Sequence, residues 1–196
     1  MEPVSSDADC LARSLSEPTA FALIFDRHFG AIHRYLHRRA GHDLADELAA
    51  ETFALAFERR ASCRASDSVL PWLYGIATNL LHRHRRVERR QLRAYARSGV
   101  NHWVAYEDDA AARVDDSSHG ARLARALAAM QPRERDALLL YALADLSYDE
   151  IATALDVPAG TVATWLHRAR ETARRELATA GPSTPSLAKT GVNGNG

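Results

Sequence analysis

Residues 146–170 contain signals for two short helices around a tight turn, and they constrain the fold more than any other stretch. Ser147 and Glu150 have the S-x-x-E spacing of a capping box directly before an apolar-periodic run, which predicts a helix start. The segment 156–160 ends that helix. Pro158 suits the first turn of the next helix, because the backbone N–H that it lacks is not needed there.

The second of these helices has one apolar stripe and one face free for contacts. Val162, Leu166 and Ala169 are spaced at i, i+4 and i+7, so they are predicted to be buried together. The residues predicted to face outward are Thr161, Ala163, Thr164, Trp165 and Arg168. This is the pattern of a helix-turn-helix whose second helix enters a DNA major groove. An ordinary helical hairpin without a nucleic-acid role remains the alternative on this segment alone.

The rest of the chain indicates an all-α fold. Apolar residues recur every three or four positions, and the alternation typical of a strand is absent. The predicted helices cover residues 17–39, 44–59, 71–97, 121–130 and 132–143, followed by the helix-turn-helix. We therefore predict two small helical domains, the second ending in the helix-turn-helix.

The predicted domains cover residues 17–97 and 121–178, and a flexible acidic linker over 98–120 joins them. The tail, 179–196, is rich in Gly, Pro, Ser, Thr and Asn and is predicted to be disordered. Residues 1–16 are polar and predicted to be loose. Trp103 and Tyr106 are unusual in a spacer, and their role stays open.

Basic residues concentrate on the third predicted helix. The chain has 25 Lys and Arg against 25 Asp and Glu, so it is not basic overall. Five arginines nevertheless recur at three- and four-residue steps: Arg83, Arg86, Arg90, Arg93 and Arg97. Such a stripe can bind a phosphate backbone and release counterions. The alternative is a solvated charged face on which Glu88 pairs locally.

Four aromatic residues precede or begin the basic stripe: Phe53, Phe57, Trp72 and Tyr74. Aromatic side chains can stack on unpaired bases. The apolar spacing of these four favours a place in the core for most of them. The loop 64–69 is where a base extruded from a duplex could be held.

No motif predicts catalysis, a cofactor or a metal site. A Gly-rich phosphate loop, HExxH and G-x-S-x-G are all missing from the sequence. His33 and His37 have metal-ligand spacing, with His28 and His42 nearby, but no matching partners are evident elsewhere, so we predict no metal site. Cys10 and Cys63 have neither disulfide nor zinc spacing. With no segment as long as a membrane span, we expect a cytoplasmic protein.

The motifs together resemble a known family. FDRHFGAIHRYLHRRAG, DELAAETFALAFERR and PWLYGIATNLLHRHRR are followed by PRERDALLLYALADLSYDEIATALDVPAGTVATWLHRAR. Over residues 17–97 and 121–178 the chain resembles the extracytoplasmic-function (ECF) sigma factors of bacterial RNA polymerase. The resemblance implies a non-catalytic factor that binds core polymerase, through its β′ clamp and β subunit, and promoter DNA. An anti-sigma factor is a further partner that the family leaves open.

The resemblance also implies roles for individual residues. Asp46, Glu47 and Glu51 would face the β′ clamp helices. The residues that would meet the minus-ten strand, with the 64–69 loop, are Trp72, Asn79, Arg83 and Arg86. Thr161, Thr164 and Arg168 would lie in the minus-thirty-five groove, where Trp165 could add an apolar contact to a thymine methyl.

Several positions depart from the family pattern. Ala50 stands where a glutamine is usual, which removes one polymerase contact. Asp156 replaces the usual glycine of the turn, and Asp tolerates the left-handed conformation at some cost. Ala163 and Trp165 stand where many members have lysine and arginine, so the promoter sequence does not carry over.

Two other functions stay open at this stage. The first is a free-standing helix-turn-helix regulator, which would need a dimerisation surface and would leave the block from Phe53 to Arg97 without a role. The second is a partner-binding helical adaptor whose second domain no longer reads DNA.

Overall fold

The computed structural model describes residues 6–63, 68–97 and 118–179. In these ranges the chain forms α-helices and two short 3-10 helices and no strand, so the all-α prediction is confirmed. The first unit contains α1 (Asp7–Ser14), α2 (Ala22–Ala40), α3 (His42–Arg59) and α4 (Leu70–Arg97). The second unit contains α5 (Ser118–Ala128), α6 (Pro132–Ala144), α7 (Tyr148–Leu155) and α8 (Ala159–Thr179). Most of the predicted linker, including Trp103 and Tyr106, and nearly all of the predicted tail lie outside the described residues.

The N-terminal helix α1 corrects the prediction that residues 1–16 are loose. The Ser6 hydroxyl accepts a hydrogen bond from the Asp9 backbone N–H at 3.1 Å. The Asp9 carboxylate accepts one from the Ser6 N–H at 3.2 Å, which completes a capping box. Local capping and two buried apolar residues, Cys10 and Leu11, therefore start a helix that is too short and too polar for periodicity to reveal.

A buried carboxylate anchors α1 to the rest of the first unit. The Asp7 side chain accepts hydrogen bonds from the Arg27 guanidinium at 3.0 Å and from the Val69 backbone N–H at 3.3 Å. It also lies 2.7 Å from His28 Nε2. Burial would raise the pKa of Asp7, but the hydrogen bonds from Arg27 and His28 outweigh it and hold that pKa below its ordinary value.

A single glycine joins α2 and α3. Gly41 has a φ of 86°, a left-handed conformation that favours glycine, and its N–H donates to the His37 carbonyl at 2.9 Å. The next helix begins at His42 without an intervening loop. The two helices therefore run side by side as an antiparallel pair.

One apolar core runs through both units. Its fully buried members include Leu48, Leu73 and Leu81 of the first unit and Leu140, Ile151 and Leu166 of the second. Helices α4 and α7 approach closely at Gly75, where an added Cβ would overlap the carbonyl of Ala154. The absence of a side chain at Gly75 is what permits this approach.

Buried charges also connect the units. Arg39 on α2 is 2% exposed and donates hydrogen bonds to the Tyr35 hydroxyl at 2.6 Å and to Asp136 Oδ1 at 2.7 Å. His82 Nε2 on α4 lies 2.7 Å from the other carboxylate oxygen of Asp136, which belongs to α6. Burial would raise the pKa of Asp136, but the hydrogen bond from His82 and the charge of Arg39 hold it below its ordinary value.

None of the helices within the described ranges combines the length and the apolar character needed to cross a membrane.

Candidate nucleic-acid and polymerase interface

The helix-turn-helix forms as the capping signals predict. The Ser147 hydroxyl accepts from the Glu150 N–H at 3.3 Å, and the Glu150 carboxylate accepts from the Ser147 N–H at 2.8 Å. This capping box begins α7 at Tyr148. Asp156 ends α7 in the left-handed conformation, with a φ of 53°, so the expectation that aspartate tolerates this position is confirmed.

Helix α8 buries the predicted stripe. Val162, Leu166 and Ala169 are all fully buried, and the helix begins at Ala159, slightly earlier than Thr161. On the other side, Ala163, Thr164 and Arg168 are exposed, and Thr161 is half-buried. Among these four residues, Thr164 has an exposed hydroxyl and Arg168 an exposed guanidinium. The Thr164 hydroxyl already donates to the Gly160 carbonyl at 3.0 Å.

Trp165 lies differently from its exposed neighbours. It is half-buried and packs against the apolar core. The Arg133 guanidinium lies 5.8 Å from the centre of its ring, within the range of a cation–π contact. The packing favours a Trp165 that folds back onto its own unit over one that projects with Thr164 and Arg168.

Arg168 has only a loose partner. Its Nη1 lies 3.8 Å from Glu134 Oε1, and its side chain is 63% exposed. Glu134 is the buried member of this pair, with 10% of its side chain exposed. The Arg168 guanidinium is accessible to a DNA phosphate or base, because most of its side chain faces solvent.

Helix α4 aligns the four residues assigned to the minus-ten strand. Trp72, Asn79, Arg83 and Arg86 follow one another at i, i+7, i+11 and i+14, which places them within about 60° around the helix axis. Asn79, Arg83 and Arg86 are exposed, and Trp72 is half-buried. We call this line of residues the α4 stripe. Residues 64–67 of the loop and the side chains of Arg93 and Arg97 lie outside the described part.

The acidic residues assigned to the polymerase lie on α3, next to the α4 stripe. Asp46 and Glu47 are exposed, and Glu51 is half-buried. Arg83 Nη1 lies 3.6 Å from Glu51 Oε1, so the acidic surface and the α4 stripe meet at this pair. Asp46 already has a partner, because its Oδ1 lies 2.7 Å from His33 Nε2.

The other three aromatic residues belong to the core. Phe53 and Tyr74 are buried, and the ring of Phe57 packs edge-on against Phe21 at 5.4 Å. Core packing is therefore their main role, as the apolar spacing favours. Trp72 differs because it combines partial exposure with a place on the α4 stripe.

Sequence reasoning noted the histidines at the α2–α3 turn but missed that Asp46 lies beside them. The ligand atoms of His33, His42 and Asp46 all lie within 4.8 Å of one another. A signal for this cluster does exist in the sequence: HxxxH precedes Gly41 and HxxxD follows it. The spacings alone do not reveal that the turn at Gly41 places the two pairs side by side.

Family models match both units. "Sigma-70 region 2" matches residues 24–91 and "Sigma-70, region 4" matches residues 120–172. The first range includes α3 and most of α4, and the second includes the helix-turn-helix.

Curated relatives extend across both units. The ECF RNA polymerase sigma factor SigE of Mycolicibacterium smegmatis is 35% identical over 78% of this chain, which spans only 59% of SigE. RNA polymerase sigma factor YlaC of Bacillus subtilis is 30% identical over 75% of this chain and 86% of YlaC. ECF RNA polymerase sigma factor SigW of the same organism is 29% identical over 81% of this chain and 89% of SigW.

Solved structures share the fold. The sigma factor RpoE from Bartonella quintana, in complex with the anti-sigma factor NepR, superposes with a TM-score of 0.58 at 20% identity, covering 82% of this chain and 98% of RpoE. CnrH, in complex with the cytosolic domain of CnrY, superposes with a TM-score of 0.61 at 20% identity, covering 90% of this chain and 99% of CnrH.

Proposed function

Because this chain belongs to the ECF sigma factors, which direct RNA polymerase to promoters, we propose that its two helical units divide promoter recognition between them. The first unit binds the β′ clamp through α3 and the minus-ten element through α4. The second unit reads the minus-thirty-five element with α8. The observation that carries this proposal is the α4 stripe, which lies directly beside the acidic surface of α3.

The chemistry of the α4 stripe suits an opened DNA strand. Arg83 and Arg86 are exposed and can bind phosphates. The Asn79 amide both donates and accepts, so it can bond to the edge of an unpaired base. The free part of Trp72 offers a surface on which a base can stack.

The acidic surface of α3 suits a basic partner. Asp46 and Glu47 are exposed carboxylates on a helix anchored to the core by Leu48 and Phe53. Opposite charges across an interface speed association and fix its register. The β′ clamp of core polymerase is the partner that we propose for this surface, and the β subunit is a further proposed contact of the whole protein.

The same proposal covers the catalytic and regulatory questions. The chain itself is not an enzyme, and RNA synthesis remains the work of the polymerase in the cytoplasm. An anti-sigma factor is a further proposed partner, because RpoE and CnrH, which share this fold, are seen with protein partners. Family matches on both units favour this function over a free-standing regulator or an adaptor.

Run-off transcription with core polymerase tests the DNA assignment. Arg83→Ala with Arg86→Ala should reduce transcription from duplex promoters, whereas binding to core enzyme should persist. Arg34→Ala with Arg38→Ala removes the same charge from exposed positions of α2 and serves as the control. A pre-melted promoter should restore part of the activity if melting is what was lost. Full activity of the α4 variant on duplex DNA would contradict the assignment.

Core binding tests the polymerase assignment separately. Glu47→Arg with Glu51→Arg should weaken assembly with core enzyme, because it puts positive charge against a basic partner, while helicity stays unchanged. Glu171→Arg, an exposed reversal in the second unit, is the control. Undiminished assembly of the double variant would remove α3 from the polymerase interface.

A further inference from the structure

Two pairs of metal-ligand side chains flank the turn between α2 and α3. His33 and His37 are four residues apart on α2, and His42 and Asp46 are four apart on α3. A separation of four places both members of each pair on one face of their helix. Because Gly41 makes the turn without a loop, the two pairs lie beside each other.

The distances suit one metal ion. Ligand atoms of His33, His42 and Asp46 lie within 4.8 Å of one another. The ring centre of His37 lies 6.3 Å from that of His33 and 5.8 Å from that of His42. Bonds of about 2.0–2.1 Å in a tetrahedral site place ligand atoms roughly 3.3 Å apart. The ligand atoms of His33, His42 and Asp46 lie close to that spacing, and the ring of His37 neighbours both histidines.

The donor set selects the kind of ion. Imidazole nitrogens with a single carboxylate suit borderline transition metals such as Zn²⁺, whereas Ca²⁺ and Mg²⁺ prefer sets of oxygen ligands. We propose that His33, His37, His42 and Asp46 form a binding site for Zn²⁺ at the α2–α3 turn.

The surroundings permit an ion to enter. The side chain of Asp46 is 63% exposed and that of His33 is 24% exposed, so solvent reaches both ligands. A 2.7 Å contact joins His33 Nε2 to Asp46 Oδ1. A metal ion would take the place of the hydrogen between these two atoms, which would then move apart to the ligand spacing of roughly 3.3 Å.

Zinc binding at this turn affects the binding of the protein to core polymerase. This part of the inference rests on the proposed function. Asp46 is one of the carboxylates that we assign to the β′ clamp, and Glu47 follows it on α3. A bound dication occupies Asp46 and adds positive charge beside Glu47. Zinc therefore weakens the association of the protein with core polymerase.

Titration of the metal-free full chain with Zn²⁺, followed by calorimetry, tests the site. One equivalent should bind, and His42→Ala and Asp46→Asn should each lower the affinity by about tenfold or more, since each removes a ligand. Co²⁺ in place of Zn²⁺ should give the visible absorption of a tetrahedral complex, and the two variants should lose it. Circular dichroism checks that these surface variants remain folded.

His167→Ala is the matched control. His167 also has a carboxylate four residues on, with Nε2 3.4 Å from Glu171 Oε1, but it lies on a single helix without a facing pair. It should leave zinc affinity unchanged. Equal zinc binding by the wild type and by His33→Ala with His42→Ala would overturn the site.

The effect on polymerase is measured separately, by assembly with core enzyme at increasing Zn²⁺. Assembly should weaken more for the wild type than for His42→Ala. Comparing the two proteins controls for any effect of zinc on the polymerase itself. If zinc binds but assembly is unchanged, the coupling is overturned and the site stands. If the metal-free protein fails to bind core enzyme, the proposed function fails and the zinc titration is unaffected.

Discussion

Substitution of the buried Asp136 tests how the two units are held together. Its carboxylate lies between Arg39 of α2 and His82 of α4, at 2.7 Å from each. Asp136→Asn keeps the size of the side chain and removes its charge. The Arg39 side chain, of which 1% is exposed, would then remain buried with its positive charge and without this counter-charge.

The expected cost follows from that burial. Removing one partner of a buried ion pair destabilises a protein by about 3–5 kcal/mol. The asparagine Oδ1 can still accept one hydrogen bond, so we expect the lower end, about 3 kcal/mol. For a chain of this length each kcal/mol lowers Tm by roughly 2–4 °C, which gives a decrease of about 6–12 °C.

Thermal and urea unfolding measure the change, with an exposed pair as the control. Glu51→Gln breaks the surface pair with Arg83, at 3.6 Å, and should cost no more than about 1 kcal/mol. Arg39→Met with Asp136→Leu should be more stable than Asp136→Asn alone, because no buried charge is left unpaired. The reasoning is refuted if Asp136→Asn is as mild as Glu51→Gln.

Because Asp136 is ionisable, its contribution to the unfolding free energy should depend on pH. The pKa of Asp136 is lower in the folded protein than in the unfolded chain, where an aspartate titrates at about 3.9. Its stabilising contribution is therefore complete above that pH and is lost as the pH falls through the folded-state pKa. The difference in unfolding free energy between wild type and Asp136→Asn should shrink as the pH falls below about 4.

Two further substitutions test the packing. Trp165→Ala should lower Tm and leave promoter affinity unchanged, because Trp165 packs on the core. A loss of about 1–3 kcal/mol in promoter affinity, with an unchanged dependence of binding on salt, would instead place Trp165 on a base. Gly75→Ala should destabilise the protein by about 1–3 kcal/mol, because its Cβ meets the Ala154 carbonyl, whereas Gly160→Ala, with open space around it, should not. Equal unfolding midpoints for the two glycine variants would contradict the close approach of α4 and α7.

The amino-acid sequence by itself determined the helices from α2 onward, including the helix-turn-helix, whereas α1 was missed. The Ser147–Glu150 capping box, the left-handed Asp156 and the stripe of Val162 and Leu166 each depend on residues within one or two turns of each other. Such signals are local, so a single sequence contains them in full. The α4 stripe could be predicted for the same reason, since its spacing is a property of one helix.

Only the tertiary structure decided which helices meet and which polar groups are buried between them. Arg39 and Asp136 are 97 positions apart, and no local pattern pairs them. Trp165 follows the outward spacing of α8, yet it packs against the apolar core, with the Arg133 guanidinium 5.8 Å from the centre of its ring. The turn at Gly41 is what makes neighbours of two pairs: His33 with His37 on α2, and His42 with Asp46 on α3. Periodicity fixes the face of a helix on which a residue lies, whereas the partner of that face depends on how all the helices share one core.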